Sequence, residues 1–242
     1  MSKVIVITGA SSGLGLSLSK KFVASGAMVL GLSKTKKHWK AAHNTIGRQD
    51  HFQLFQIDLT KEPEVRKFFS GLIKKFGTLD LVINNAGYGG KLVAIDQLPL
   101  SEFQNHIDSN LYSAFFVCKH SIPIFRKQKN GYIINISSMA GKRAVPKLAA
   151  YSASKFGVVA LSQCVAKENA EFNLKCITVC PGGMNTEMRA TLFGQTDAEA
   201  QQSPDFVADV IYQIYERKIE IDSGGDVIIR HGKITINSVP AA

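Results

Sequence analysis

Apolar residues along this chain fall into two alternating patterns: short uninterrupted runs, and longer stretches in which they recur every three or four positions. The first run, residues 3–8 (Lys-Val-Ile-Val-Ile-Thr), has no polar residue in its interior. A strand without a polar face is one covered on both sides, as in a parallel sheet. Past a glycine-rich turn, Leu16, Leu18, Phe22 and Val23 fall at helical spacing until Gly26. Further strands are predicted at 28–32, 52–57, 79–83, 131–136, 175–180 and 227–230, with 233–236 extending or pairing the last. At 61–76, Val65, Phe68, Phe69, Leu72 and Ile73 keep the 3.6-residue period of a helix. Other helices are expected from near Ser101, whose hydroxyl can cap it ahead of Glu102, from Tyr151 to about Phe172, and from Pro204. Strands alternating with helices throughout predict one α/β domain over 1–242, a doubly wound sheet of about seven mostly parallel strands with helices on both faces. Residues 183–203 fit neither pattern, with Met184, Met188, Leu192 and Phe193 scattered among polar positions. A long, partly apolar segment of that kind is expected to be a lid over a binding site.

Right-handed crossovers place ligands outside the carboxyl ends of parallel strands, where the strand order reverses. Gly9, Lys34, Asp58, Asn85, Ser138 and Pro181 all stand at predicted strand ends. The first belongs to Gly9-Ala10-Ser11-Ser12-Gly13-Leu14-Gly15, a G-x-x-x-G-x-G turn between strand and helix. Its glycines permit a tight turn and close backbone approach, and the helix N-terminus offers free N–H groups to a pyrophosphate. At the end of the second strand, where an acid that binds ribose would mark an NAD enzyme, stand Ser33 and Lys34. A carboxylate there would repel a 2′-phosphate, whereas a hydroxyl followed by a cation would hold one. NADP(H) is therefore favoured as cofactor, with NAD(H) the alternative. Asn84-Asn85-Ala86-Gly87 suits a cofactor-lining turn, because asparagine tolerates unusual backbone angles. Asn110 lies inside a helical stretch in apolar company, where it weakens the helix and needs a partner, most simply a backbone group.

Tyr151 and Lys155 are four apart and so share one helix face, about one turn from each other. A phenol with a reference pKa of about 10 is a poor acid at neutral pH. A cation beside it favours the phenolate and lowers that value, as a carbonyl reductase requires of its proton donor.

Composition narrows the class. Apolar residues make up 45% of 242 residues, enough for a packed domain of this size. No apolar run approaches the roughly 18 residues that span a membrane. The start lacks the features of a signal peptide and Val239-Pro240-Ala241-Ala242 matches no address, so a soluble cytoplasmic protein without a membrane partner is expected. Cys118, Cys164, Cys176 and Cys180 form no C-x-x-C pair, so no disulfide framework and no metal site is expected; Cys176 and Cys180 read as buried core thiols on one strand face. The net charge of +10 is spread over many segments apart from Lys34, Lys36, Lys37 and Lys40 beside Trp39, which reads as a solvated basic face rather than a nucleic-acid surface.

Four motifs, taken together and in order, resemble the classical short-chain dehydrogenases/reductases from about Val4 to Thr186. They are Thr8-Gly9-x-x-x-Gly13-x-Gly15, Asn84-Asn85-Ala86-Gly87, Ser138 with Tyr151-x-x-x-Lys155, and Pro181-Gly182. The resemblance implies a Rossmann-like fold and hydride transfer between NADP(H) and a small carbonyl or alcohol substrate. It implies that Tyr151 is the general acid–base, that Lys155 lowers its pKa and binds the nicotinamide ribose, and that Ser138 holds the substrate oxygen. Asn110 would distort its helix to hold a water linking Lys155 to solvent. Ser11, Ser12 and Leu14 would contact phosphates and ribose, and Asp58 and Leu59 the adenine. Asn85, Ala86 and Gly87 would line the cofactor, Pro181 and Gly182 would border it, and Thr186 would hold the carboxamide. Ser137 is the alternative to Ser138, but the thirteen-residue offset from Tyr151 favours the latter.

The chain departs from the family pattern at its end. Asp226-Val227-Ile228-Ile229-Arg230-His231-Gly232 replaces a strand running into Asp-Gly-Gly, so a homodimer through the Asn110 and Tyr151 helices stands beside the homotetramer as an expectation. Position 12 carries serine where NADP members often have a basic residue, leaving Lys34 as the main NADP feature. The competing reading is a catalytically silent NAD(P)-binding sensor of the same fold. The substrate cavity is expected among residues 89–91, 139–145 and 184–193, with Lys91, Lys142, Arg143 and Lys147 hinting at an acidic or phosphate-bearing substrate.

Overall fold

The computed structural model describes residues 2–48 and 50–239; the C-terminal 240–242, read above as free of any address, lie outside the described residues. Strand β1 (Val4–Thr8) is buried at every position. Its alternate side chains enter two different cores: Ile5 and Ile7 pack with helices α1 (Gly13–Ala24) and α9 (Pro204–Tyr215), and Val4 and Val6 with α3 (Glu62–Phe76), α5 (Ser113–Gln128) and α6 (Ala149–Glu168). That double burial is why the strand sequence shows no alternation.

The remaining strands are β2 (Met28–Ser33), β3 (Phe52–Gln56), β4 (Leu81–Asn84), β5 (Gly131–Ile136), β6 (Leu174–Pro181), β7 (Asp226–Arg230) and β8 (Lys233–Asn237). They form one eight-stranded sheet in the order β3-β2-β1-β4-β5-β6-β7-β8. Every neighbouring pair is parallel except β7 with β8. The sheet thus has one more strand than the seven expected. Residues 233–237 do not extend β7 but fold back on it, through His231 (φ 49°) and Gly232 (φ 73°), the two positive angles of a type I′ hairpin turn. Gly232 supplies the second without a Cβ penalty.

Elsewhere the elements depart from the expected outline. Residues 183–203 are not a loop but hold two short helices, α7 (Glu187–Phe193) and α8 (Gln195–Glu199). The basic stretch after Lys37 forms helix α2 (Trp39–Ile46). Helix α4 (Leu100–His106) has Pro99 rather than Ser101 at its cap and no side-chain cap bond. Helix α6 begins two residues before Tyr151 and ends at Glu168, leaving a separate turn of 3-10 helix at Ala170–Phe172. Cys176 and Cys180 are buried as expected of core thiols; Cys118 is buried too, whereas Cys164 is exposed.

The strand order reverses between β1 and β4, and their carboxyl ends are tied there. The Asn85 and Ala86 N–H groups both donate to Thr8 Oγ1 at 2.9 Å, and Asn85 Nδ2 donates to the Thr8 carbonyl at 2.9 Å. Asn85 therefore ties the two strand ends together at the point where ligands bind in such sheets.

Candidate active site

The glycine turn after β1 forms one wall. A Cβ on Gly15 would lie 2.0 Å from the Gly9 carbonyl oxygen and 2.6 Å from Asn85 Nδ2, so only glycine lets the first turn of α1 approach the strand end this closely. Ser12 at the helix cap makes no side-chain cap bond, leaving the first-turn N–H groups without a side-chain partner. Two cavities open onto this turn. One of about 520 Å³ is lined by Gly9, Ser11 and Ser12 on one side and by Ser33, Lys34, Asp58 and Leu59 on the other. The second, of about 430 Å³, shares Gly9, Ser12, Ala86 and Gly87 with the first and continues past Gly13, Leu14 and Asn85 to Tyr151, Lys155 and Thr186.

In the first cavity Lys34 Nζ lies 3.0 Å from Asp58 Oδ2. Burial raises the Asp58 pKa, but hydrogen bonds from Thr60 and the Lys34 contact outweigh it and bring the carboxyl below its ordinary value. The expected pairing of Ser33 with Lys34 is only half present. The Ser33 hydroxyl accepts the Trp39 indole N–H at 2.6 Å and donates to the Thr35 carbonyl at 3.1 Å, so it is committed to α2.

Beyond the second cavity lies a third, of about 340 Å³, lined by Ser138, Tyr151, Pro181, Gly182 and Thr186. Tyr151 borders both and stands at their junction. The two serines both line this third cavity but differ in their bonding. Ser137 is buried and its hydroxyl donates to the Lys155 carbonyl at 2.8 Å, while Ser138 accepts the Ala140 N–H at 3.1 Å and faces the third cavity. Thr186 accepts the Arg189 N–H at 3.2 Å and so caps α7 while lining both cavities.

Lys155 is buried, and its Nζ donates to the Ile136 carbonyl at 2.9 Å and lies 5.8 Å from the centre of the Tyr151 ring. Burial lowers its pKa to about 8. The expected depression of the Tyr151 pKa by this lysine is not found. Burial raises Tyr151 above its ordinary value, and the opposing influence comes from the Ser138 hydroxyl. The reason is geometric: the ammonium is spent on a backbone carbonyl and is set against the ring.

Asn110 sits in a π-helical turn, Ile107–Tyr112, the distortion expected around it. Its Oδ1 accepts the Tyr88 N–H at 2.7 Å, and its Nδ2 donates to the Tyr88 carbonyl at 3.1 Å and to Ser154 Oγ at 3.0 Å. It thereby clamps the segment after Asn85-Ala86-Gly87 to α6. A Cβ on Gly87 would lie 3.0 Å from Asn110 Oδ1 and 3.6 Å from Lys155 Nζ, so both side chains approach the same glycine. Asn110 and Gly15 line none of the three cavities; the other expected site residues all do.

One residue escaped the sequence reading. His106, four before Asn110 on the same face, is buried with its ring 5.9 Å from Tyr151 and 5.0 Å from Tyr88. Burial lowers its pKa against the pull of Glu102, whose Oε1 is 3.7 Å away. Its spacing from Asn110 was the only available clue.

Among the described residues no helix is long and apolar enough to cross a membrane. The sequence model of short chain dehydrogenases matches residues 3–197. An NADPH-dependent pterin aldehyde reductase of Arabidopsis thaliana is 29% identical over 228 residues, covering 94% of this chain and 93% of that protein. A 3beta-hydroxysteroid dehydrogenase of Mediterraneibacter gnavus is 32% identical over 189 residues, covering 77% of this chain and 67% of its own. Among solved structures, a 3-ketoacyl-(acyl-carrier-protein) reductase from Brucella melitensis complexed with NADH superposes with a TM-score of 0.87 at 26% identity, over 95% of this chain and 97% of that one.

Proposed function

Because the chain belongs to the short-chain dehydrogenase/reductase family, and is therefore an oxidoreductase acting between alcohols and carbonyls, we propose that hydride transfer to its substrate occurs beside Tyr151. The observation that carries this reading is that Tyr151 borders both the 430 Å³ and the 340 Å³ cavity, the first running to the glycine turn and the second to Ser138. A nicotinamide cofactor supplies the hydride when bound. The glycine turn and the uncapped N-terminus of α1 suit its pyrophosphate, Asp58 and Leu59 border the adenine end, and Asn85, Ala86, Gly87, Pro181, Gly182 and Thr186 border the rest.

The chain's own groups handle the proton. In reduction, Tyr151 Oη gives its proton to the substrate oxygen, which Ser138 Oγ holds by donating a hydrogen bond as charge develops. A phenol raised by burial stays protonated through the neutral range, which suits this direction. Lys155 supplies positive charge over the face of the Tyr151 ring. Asn110 fixes the π turn that leaves the lysine its place. The silent sensor is not favoured, since Ser138, Tyr151, Lys155 and Asn110 are all present and brought together. Residues 183–203 close over the substrate as a lid, supported by Met184, Met188 and Leu192, which line both the 340 Å³ and the 430 Å³ cavity. A homodimer is supported by Tyr112, Phe115 and Phe156, which are exposed at 46%, 41% and 45% on the helices around Asn110 and Tyr151. Light scattering of a Phe115→Glu, Phe156→Glu double variant should then report a monomer.

NADP(H) is the cofactor favoured by Lys34, the cation of the adenine-end cavity, and by the NADPH dependence of the plant relative. NADPH should raise the melting temperature more than NADH at equal concentration. Lys34→Ala removes one charge-assisted phosphate contact and frees the Asp58 carboxylate, so it should weaken NADPH binding by about tenfold or more while sparing NADH. Stronger stabilisation of the wild type by NADH would reverse the assignment.

A further inference from the structure

The 340 Å³ cavity has a polar end at Ser138 and Tyr151, an apolar wall of Met139, Met184, Met188 and Phe193, and a cationic rim; among the described residues no Asp or Glu lines it. The rim cations differ in their commitments. Arg189 is forked onto Asp197 at 2.5 and 3.1 Å and lies over the Phe193 ring at 3.9 Å, so it is already neutralised. Lys142 points elsewhere, to the buried Asp226 at 2.7 Å, and Lys91 and Lys147 line none of the cavities. This corrects the expectation that these lysines form an acid-binding rim. Arg143 and Arg230 remain. Both are exposed, both line the cavity, and among the described residues neither has an ion pair or a side-chain hydrogen bond.

They approach from different walls. Arg143 follows the 3-10 turn Met139–Gly141, its N–H held by the Met139 carbonyl at 3.0 Å. Arg230 ends β7 at the hairpin turn, and its stem crosses Gly182, with Cγ 2.8 Å from where a Cβ on that glycine would stand. The missing side chain at 182 is thus what seats the arginine over the cavity. Guanidinium forks match carboxylate and phosphate geometry, which ammonium groups do not. Met188 and Phe193 are exposed at 42% and 37% along the way from Tyr151 to this rim, an apolar wall that a ligand would cover. The volume lies at the small end of the roughly 300–1,000 Å³ typical of ligand cavities.

From this distribution we infer that the substrate is a compact carbonyl or alcohol compound with an apolar body and an anionic group at the end away from the reacting carbon, bound by Arg143 and Arg230. The inference rests on the reading of this cavity as the substrate side of the site. Three aldehydes sharing one benzene body test it: 4-formylbenzoate, 4-formylphenyl phosphate, and the neutral methyl 4-formylbenzoate. Their binding to the Tyr151→Phe variant loaded with NADPH, measured by titration calorimetry, is read separately from their turnover by the wild type. One of the two anions should bind at least about tenfold more tightly than the ester, and which one does identifies the group as carboxylate or phosphate. That preference should weaken as salt rises and collapse toward unity when Arg143→Gln and Arg230→Gln are added. Equal or tighter binding of the ester, no binding of either anion, or a preference that survives the two substitutions overturns the inference. Anion preference in binding without reduction of any aldehyde by the wild type would instead leave this inference standing and remove the hydride-transfer reading. Reduction of the ester with no anion preference does the reverse.

Discussion

Replacing Tyr151 with phenylalanine should lower kcat/KM for carbonyl reduction by about 10³-fold while NADPH still raises the melting temperature as it does in the wild type. The substitution removes one oxygen atom and keeps the ring. The ring is what packs edge-on against His106 at 5.9 Å and lies 5.8 Å from the Lys155 ammonium, so those contacts persist. Tyr151 stands at the junction of the two cavities, and a positioned general acid contributes typically about 10²–10⁴-fold. Because kcat is expected to carry most of the loss, the change reads as proton transfer rather than binding. A variant turning over within a few-fold of wild type would remove Tyr151 from the reaction and with it the proposed mechanism. The sign of the pH dependence follows from the same group. A phenol raised by burial is held in the protonated form that reduction needs, whereas oxidation of an alcohol needs the scarce phenolate as base, so oxidation should accelerate with rising pH where reduction does not.

Much of this site was legible in the sequence because its pieces are local. The Gly9 to Gly15 turn is contiguous, Tyr151 and Lys155 are separated by one helical turn, and Asn110 is out of place in its apolar stretch, which the π turn at 107–112 explains. The strands were legible because burial on both faces leaves nearly unbroken apolar runs, as in β1. What stayed hidden depends on contacts between distant residues. Nothing near Lys155 in sequence says that its ammonium goes to the Ile136 carbonyl, nineteen positions earlier, or that burial rather than this lysine dominates the pKa of Tyr151. Ser33 looked free until Trp39 folded back onto it from α2. Helices α7 and α8, of 7 and 5 residues, are too short to display a period, so their segment read as irregular. The β7–β8 turn uses His231-Gly232 instead of the Asn-Gly or Asp-Gly pair that marks such hairpins in sequence.

Lys155→Met should stabilise the protein relative to wild type near pH 7, abolish turnover, and lose part of its stability advantage as the pH rises. Burial lowers the Lys155 pKa from 10.5 to about 8. Below about pH 8 the lysine is protonated in both the folded and the unfolded chain, and the folded chain bears the cost of a buried ammonium, on the order of 3 kcal/mol. Between about 8 and 10.5 the unfolded chain keeps the proton that the folded chain has released, so the stability contributed by this residue rises with pH. Methionine keeps a similar stem without the charge. Its gain at pH 7 is reduced because the Ile136 carbonyl loses the Nζ hydrogen bond. The pH dependence of the difference is free of that offset. Buried Cys118 and Tyr132, whose pKa values are raised by burial, are common to both proteins and cancel, whereas Cys180 interacts with Lys155 and titrates with it as part of the measured difference. Urea denaturation of the two proteins at pH 7 and pH 10 should therefore show the gap moving in favour of the wild type by about 3 kcal/mol. A gap that does not move with pH would mean that Lys155 is not held in the buried position that lowers its pKa. A gap that closes as expected would show that the site keeps a destabilising cation because turnover requires it, the usual cost of a functional residue in a folded interior.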